Sequence, residues 1–145
     1  MTFMEIQKRK INNNAKNFPG LRYLIDSDII IEIMKGNNQI TDAFKMLDAD
    51  DSNIYYSPVS RAEILAGAFE KEKDDINIFF NQMICLDLTD NIGEKAGDFL
   101  NKYRKSHNIG LGDAIIAATA YKYDLLLLTQ NIKHYPMSEV MVVKP

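Results

Sequence analysis

Three acidic residues stand at the boundaries of predicted secondary-structure elements, each beside apolar residues. Asp26 follows the apolar run 23–25, Glu63 lies early in a predicted helix, and Asp113 opens an Ala-rich helix. They are distant in sequence, but all three could converge at one edge of a parallel sheet. Converging carboxylates repel one another unless a cation neutralises them, and hard divalent ions such as Mg²⁺ or Mn²⁺ prefer oxygen ligands. The three acids therefore indicate metal-assisted chemistry on phosphates.

Each acid also has an ordinary structural explanation. Asp26 could cap a turn, Asp113 is a suitable helix N-cap, and Glu63 could be a solvated residue on a helix surface. Asp28 is a better N-cap for the helix after Asp26, and we assign it that role rather than metal binding. Spacing alone therefore does not establish a site.

The segment around Asp26 combines a strand, a turn and a helix. Residues 23–25 are strand-favouring, and Gly36 suits the position after a helix C-terminus. Between them, apolar residues recur at helical spacing: Ile29, Ile30, Ile33 and Met34. Asp26 is thus predicted at the carboxyl end of a strand, where ligands bind in open α/β sheets.

The remaining pattern alternates strands with helices. Further strands are predicted at 54–56, 84–88, 125–128 and 140–143, the last at an edge of the sheet. Helices are predicted at 43–47 (ending in the acidic turn 48–52), from Pro58, at 76–83, from Thr89 or Asp90 to Tyr103, and at 114–123. This order predicts an α/β doubly wound fold with a mostly parallel sheet, in which the first and fourth strands are neighbours.

Two predictions of burial follow from apolar spacing. One face of the helix after Pro58 is predicted to be buried through Val59, Ala62, Leu65, Ala66 and Phe69. The single Cys85 lies in an apolar run, so we expect it in the core.

Composition indicates one globular domain of 145 residues, with 46% hydrophobic and 26% charged residues. No apolar run is long enough to span a bilayer, and one cysteine cannot form an internal disulfide, so we expect a cytoplasmic protein. Residues 1–20 are polar and basic and are predicted to be a mobile leader, followed by a single domain over 21–145. The net charge of −3 combines about +4 in residues 1–22 with an acidic remainder.

Four segments occur in a recognisable order: Leu-Ile-Asp-Ser-Asp-Ile-Ile-Ile at 24–31, Ser-Arg-Ala-Glu-Ile-Leu-Ala-Gly at 60–67, Gly-Asp-Ala-Ile-Ile-Ala-Ala-Thr-Ala at 112–120, and Leu-Leu-Thr-Gln-Asn at 127–131. This pattern resembles the PIN-domain ribonucleases, specifically the VapC-type toxins of type II toxin–antitoxin pairs. The resemblance covers residues 22–145. It implies a three-layer sandwich with a central, mostly parallel sheet of about five strands flanked by helices.

The resemblance also implies an activity and a set of site residues. The family's catalytic, metal-binding acids fall on Asp26, Glu63 and Asp113, and the implied reaction is endonucleolytic hydrolysis of RNA. Family members often carry a fourth acid where this chain has Asn131 and His134. Three residues near the acids are expected to assist them: Asn131 through a hydrogen bond to water on the ion, Thr129 by orienting that water, and Ser27 as a small residue in a turn that metal and phosphate must approach.

With three carboxylates instead of four, we expect one tightly held Mg²⁺ or Mn²⁺, and a second ion only when RNA adds its own charge. The resemblance further implies three partners: an RNA substrate, a VapB-like antitoxin whose C-terminal segment covers the acidic site, and a second copy of the chain in a homodimer. No membrane partner is expected.

A basic cluster at Lys102, Arg104 and Lys105, with His107 beside it, is the predicted contact for the RNA backbone. Short charge clusters are also common on solvated surfaces. His107 and His134 are predicted to be surface or assisting groups rather than catalytic bases.

Two other functions fit parts of the sequence. A strand ending in Asp-x-Asp also opens the haloacid-dehalogenase phosphatases, but their Thr or Val after the second Asp and their late paired acids have no clear counterpart here. The second alternative is a catalytically weak binding partner or scaffold, because Asn131 and His134 replace a fourth acid.

Overall fold

A computed structural model of the chain describes residues 21–49 and 53–145. The predicted leader and residues 50–52 of the predicted acidic turn lie outside the described residues. The strands are β1 (Arg22–Ile25), β2 (Asn53–Tyr56), β3 (Ile84–Cys85), β4 (Leu126–Leu128) and β5 (Val142–Val143). The helices are α1 (Ser27–Met34), α2 (Asn38–Ala49), α3 (Pro58–Ala66), α4 (Lys73–Asn81), α5 (Asp90–His107) and α6 (Leu111–Tyr123). Within the described residues, strands alternate with helices as predicted.

The strands form a sheet in the order β3-β2-β1-β4-β5, and all four pairings are parallel. β1 therefore lies between β2 and β4, which confirms the predicted adjacency of the first and fourth strands. Because the strands are parallel, their carboxyl ends meet at one edge of the sheet. This edge carries Asp26, directly after β1, and Thr129, directly after β4.

Helices cover both faces of the sheet. Tyr23 and Ile25 of β1 pack into one buried cluster with residues of α1, α2 and α4, whereas Leu24 packs into a second cluster with residues of α5 and α6. This alternation follows from the two-residue period of a strand. Since all three residues are 0% exposed, the apolar run in β1 reflects burial on both sides. The three-layer prediction is confirmed.

The ends of the helices confirm some predicted caps and correct others. Ser57 caps α3 by accepting a hydrogen bond from the Val59 amide at 3.2 Å, and Thr89 caps α5, as predicted. The prediction that Asp28 caps α1 is wrong, because Asp26 has extended backbone and accepts from the Ser27 amide. Asp113 is not the N-cap residue of α6, which begins after Gly110, but as its third residue it accepts from the Gly110 amide through Oδ2 at 3.5 Å.

The burial prediction for α3 is wrong in part and that for Cys85 is wrong, because apolarity alone does not locate the buried face. Val59 and Leu65 are partly buried and pack against the two clusters, whereas Ala62 and Ala66 are exposed. α3 is buried through Ser60 and Ile64, whereas Phe69, beyond its end, is 70% exposed. α3 contacts α1, α4 and α6, and its Ser60 is 0% exposed. Cys85 is exposed because β3 is a two-residue edge strand that pairs with β2 alone.

The apolar α6 is buried over Ala114 and residues 116–120, as predicted. None of the helices in the described ranges is both long and apolar enough to cross a bilayer.

Candidate active site

Asp26 is a buried carboxylate held by three donors. Its side chain lies at the carboxyl end of β1 and is 6% exposed. Oδ1 accepts from the Ser27 amide at 2.7 Å. Oδ2 lies 2.9 Å from Thr129 Oγ1 and 2.7 Å from the Tyr135 hydroxyl, which donates to it. These contacts fix the carboxylate at the edge of the sheet.

The Ser27 hydroxyl links Glu63 to Asp26. The Ser27 hydroxyl donates to Glu63 Oε2 at 2.6 Å and lies 3.4 Å from Asp26 Oδ1. On its other side, Glu63 Oε1 packs against Gly112, where an added Cβ would lie only 2.9 Å from that oxygen. Glu63 therefore lies between the first turn of α1 and the first turn of α6.

Asp113 is the third predicted acid at this edge. It lies in the first turn of α6, and its Oδ2 is 3.3 Å from Nδ1 of His134. Its charge acts on both Asp26 and Tyr135. The structure thus brings Asp26, Glu63 and Asp113 to one region, although they are separated by dozens of residues.

The three acids have few basic partners: in the described residues, the imidazole of His134 alone lies within ion-pair distance of them, 3.3 Å from Asp113 Oδ2. Burial raises the pKa of Asp26 above its ordinary value, and the charge of Asp113 raises this pKa further, against the hydrogen bonds from Tyr135, Thr129 and the Ser27 amide. Among the described residues, no Lys or Arg forms an ion pair with these three acids. A cation at this edge would offset both effects.

The side-chain positions are those of separate hydrogen-bonded groups. In the described part of the chain, no three acidic, histidine or cysteine side chains are grouped closely enough to hold a metal ion as they stand. Glu63 is exposed, and its Oε2 accepts from the Ser27 hydroxyl.

Asn131 and His134 occupy the position of the expected fourth acid. Asn131 Nδ2 lies 3.1 Å from His134 Nδ1, the same nitrogen that contacts Asp113. The Asn131 amide donates to Thr129 Oγ1 at 3.0 Å. The segment after β4 therefore joins Asp26 through Thr129 and Asp113 through His134.

Asp28 ties α1 to that same segment. Its Oδ2 lies 3.0 Å from Thr129 Oγ1 and accepts from the amides of Gln130 and Asn131 at 2.9 and 3.1 Å. Its Oδ1 is buried and has no hydrogen-bond partner among the described residues. Burial raises the pKa of Asp28 to about 6, and the charge of Asp26 contributes to this shift.

Replacing Asp28 by asparagine is expected to change the pH dependence of stability. A carboxyl whose pKa is about 6 in the folded state, against 3.8 ordinarily, binds its proton more tightly when folded. The wild-type protein therefore loses stability as pH rises through this interval, and Asp28→Asn removes that loss. The free energy of unfolding of the variant, relative to wild type, should rise by on the order of 1–2 kcal/mol between about pH 4 and pH 7.

Urea unfolding in metal-free buffer at several pH values measures this difference. Asp42→Asn on α2, an exposed position, controls for the loss of one charge. A difference between Asp28→Asn and wild type that does not vary with pH would contradict the assignment.

The predicted basic cluster lies outside the hydrogen-bonded network of the acids. Lys102, Arg104 and Lys105 are exposed on the last turns of α5. α5 ends at Asn108, and α6, which carries Asp113, begins at Leu111. The cluster is therefore linked to the acidic edge by a short connection.

Tyr135 is the site residue that sequence reasoning missed. It follows a short 3₁₀ turn (Ile132–His134), is 4% exposed, and donates its hydroxyl to Asp26. Burial, together with the charge of Asp26, raises the pKa of the hydroxyl, so it remains a donor. Nothing in the segment His-Tyr-Pro indicates where the hydroxyl points, because its partner is 109 residues away.

Comparison with known proteins identifies relatives of the chain. Residues 23–139 match the model of the PIN domain. Ribonuclease VapC10 of Mycobacterium tuberculosis is 38% identical over 117 residues, which cover 80% of this chain and 87% of that protein. Ribonuclease VapC19 of the same organism is 34% identical over 116 residues, covering 79% and 92%.

Solved structures share the fold. A chain of VapBC2 from Rickettsia felis, bound to a promoter DNA fragment, matches with a TM-score of 0.72 at 20% identity, covering 86% of this chain and 99% of that one. A chain of VapBC-1 from nontypeable Haemophilus influenzae matches with a TM-score of 0.71 at 22% identity, covering 84% and 96%. Together with the sequence relatives, these matches show that the chain belongs to the PIN-domain family, among its VapC proteins.

Proposed function

We propose that the protein is an endoribonuclease that hydrolyses RNA phosphodiesters with the help of Mg²⁺ or Mn²⁺, and that it is the toxin of a toxin–antitoxin pair. The observation that carries the proposal is the meeting of Asp26, Glu63 and Asp113 at the carboxyl edge of the sheet, with Ser27 joining the first two. Support also comes from the relatives at 34–38% identity, which are named ribonucleases.

The donor set suits a hard divalent cation. Asp26, Glu63 and Asp113 would supply carboxylate oxygens, the ligands that Mg²⁺ and Mn²⁺ prefer. The raised pKa of Asp26 has causes that a bound cation would offset, namely burial and the charge of Asp113. When bound, the ion would stabilise the negative charge that develops on the phosphate.

The protein's own residues would divide the remaining work. Asp26 is fixed by Ser27, Thr129 and Tyr135 and would orient the site. Glu63 and Asp113 are more accessible than Asp26, and one of them would accept a proton from the attacking water. Thr129 holds the backbone of Asn131, which, with His134, would set the orientation of Asp113 and of nearby water.

A cleavage experiment tests the proposal. The chain is expressed alone, and the RNA 5′ ends that accumulate are sequenced. The purified protein is then assayed on the affected RNA with Mg²⁺ or Mn²⁺. Defined new ends in the cell, reproduced by the purified protein, are expected. Equal background activity for wild type and Asp26→Asn would instead favour the second candidate, a catalytically weak binding partner. This candidate is retained because Asn131 and His134 stand where a fourth acid was expected.

The basic cluster is proposed to contact the RNA backbone. Replacing Lys102, Arg104 and Lys105 together by alanine should weaken RNA binding and flatten its dependence on salt. If each residue meets one phosphate, the slope of log K against log[salt] should fall by about 2, at roughly 0.7 per contact with a single strand. Binding measured at several salt concentrations gives the slope.

The matched control replaces three other exposed lysines, Lys45, Lys71 and Lys122, and removes the same charge. Equal slopes for the two triple variants would show that the cluster makes no special contact. Mn²⁺ affinity should be unchanged in both.

A VapB-like antitoxin is proposed to bind beside the acids. A groove of about 340 Å³ begins at Glu63 and is lined mainly by apolar residues of α1, α3 and α4, among them Ile31, Met34, Ile64 and Ile76. Ile31 and Met34 are 39% and 41% exposed. A segment of the antitoxin lying in this groove would reach the acidic edge.

Met34→Asp is therefore expected to weaken antitoxin binding at least about tenfold, because a charge would be buried in an apolar contact. Met46→Asp on α2, which is 49% exposed and does not line the groove, is the control. Titration calorimetry with the co-expressed and separated antitoxin measures both. Equal affinities would place the interface elsewhere.

The chain is further proposed to act as a homodimer in the cytoplasm, the compartment that its single cysteine and its proposed substrate suit. Light scattering after size-exclusion chromatography tests the dimer.

A further inference from the structure

Tyr135 lies after the 3₁₀ turn that follows β4 and bonds to Asp26. Tyr135 belongs to the buried cluster formed with α5 and α6, which also contains Leu127, Met137 and Val140. From there its hydroxyl extends to Asp26 Oδ2 at 2.7 Å, a contact in which both groups are buried. A hydroxyl seated in a packed core cannot move far, so its direction is set by the fold.

The Tyr135 hydroxyl donates its one proton to Asp26, whereas the Thr129 hydroxyl is shared between Asp26 and Asp28. Thr129 Oγ1 lies 2.9 Å from Asp26 Oδ2 and 3.0 Å from Asp28 Oδ2, but a hydroxyl has one proton and can donate to one carboxylate at a time. Tyr135 has a single carboxylate partner within hydrogen-bond distance in the described residues, which is Asp26. When Thr129 donates to Asp28, Tyr135 alone donates to Oδ2 of Asp26.

Together with the Ser27 amide, which donates to Oδ1 at 2.7 Å, this bond sets which oxygen of Asp26 faces the other acids. Oδ2 is occupied by buried hydroxyls, whereas Oδ1 lies on the side of Ser27, whose own hydroxyl contacts Glu63. The terminal torsion of an aspartate side chain is broad, so a donor at each oxygen, the Ser27 amide at Oδ1 and the Tyr135 hydroxyl at Oδ2, restricts the orientation of the carboxylate.

We propose that Tyr135 is a positioning residue of the active site, which holds Asp26 by Oδ2 and leaves Oδ1 on the side of Ser27 and Glu63, in the orientation that would suit a cation held by the acids. This inference rests on the proposed function. It adds a residue outside the acidic set, and it assigns separate tasks to the two oxygens of Asp26.

Tyr135→Phe tests the proposal because it removes the hydroxyl and keeps the ring. The loss of a buried hydrogen bond to a charged group should lower kcat for RNA cleavage by about 10- to 100-fold and weaken Mn²⁺ binding about tenfold. KM for RNA should stay within about twofold, because the Tyr135 hydroxyl is buried away from a bound strand. Tyr123→Phe is the matched control, since the Tyr123 hydroxyl bonds the Asp87 carbonyl at 3.2 Å, away from the acids.

If Tyr135→Phe also lowers the melting temperature, a double variant separates positioning from structural damage. Mn²⁺ affinity is then compared between Asp26→Asn and Asp26→Asn/Tyr135→Phe below both melting temperatures. Equal affinities are expected if Tyr135 acts through Asp26. A further loss of Mn²⁺ affinity in the double variant would overturn the proposal. It would also be overturned if kcat and Mn²⁺ affinity for Tyr135→Phe were within about twofold of the values for Tyr123→Phe.

The readouts also separate this inference from the proposed function. A wild-type protein that binds Mn²⁺ but cleaves no RNA would overturn the proposed function, and the affinity comparison would still decide the role of Tyr135. A wild-type protein that binds no Mn²⁺ would overturn both.

Discussion

Asp26→Asn is expected to lower RNA cleavage by about a thousandfold and to raise the melting temperature in metal-free buffer. The loss of activity follows because asparagine lacks the charge that holds the cation. The cation would stabilise the charge that develops on the phosphate by several kcal/mol, and losing that stabilisation lowers the rate by a factor of this size. The gain in stability follows because Asp26 is a buried carboxylate near Asp113. Its burial and the charge of Asp113 both raise its pKa.

The surroundings can accept the amide. The Ser27 amide can still donate to the remaining side-chain oxygen, while the hydroxyls of Thr129 and Tyr135 can rotate to accept from the new amide nitrogen. A gain of about 1 kcal/mol would raise the melting temperature by roughly 2–4 °C in a domain of this size.

Cleavage rates under single-turnover conditions and thermal unfolding in EDTA provide the two measurements. Asp98→Asn, at an exposed position of α5, is the control and should match wild type in cleavage. Cleavage by Asp26→Asn within about tenfold of wild type would remove Asp26 from the catalytic set.

The parts of the fold that could be predicted are those that short segments encode. The apolar run of β1, the Ser57-Pro58 start of α3 and the apolar α6 each carry a local pattern with one physical explanation. Once β1 and β4 are parallel neighbours, the rule for strand ends brings Asp26 to the functional edge. The position of Asp26 at this edge was therefore accessible from the sequence.

The parts that could not be predicted depend on contacts between distant segments. The bonds from Thr129 and Tyr135 to Asp26 span 103 and 109 residues, and no local pattern signals them. Asp28 failed as a predicted cap because its carboxylate accepts from the backbone after β4 instead. The buried face of α3 was missed because it includes Ser60, a polar residue that is 0% exposed.

Removal of divalent ions with EDTA is expected to abolish RNA cleavage, and Mg²⁺ or Mn²⁺ should restore it. In the absence of RNA, calorimetric titration with Mn²⁺ should show one strong site. Three carboxylates, one of them already 3.3 Å from an imidazole nitrogen of His134, leave less negative charge for a second ion than four would. A second ion should bind only when RNA contributes phosphate charge.

The same ion should stabilise the folded protein. An ion present at 100 times its dissociation constant stabilises by about 2.7 kcal/mol, so Mg²⁺ should raise the melting temperature of wild type by several degrees and that of Asp26→Asn by much less. This comparison separates binding at the carboxylates from a general effect of salt, because both proteins experience the same ionic strength. Two strong Mn²⁺ sites without RNA would contradict the single-ion prediction, and full cleavage in EDTA would contradict the metal requirement itself.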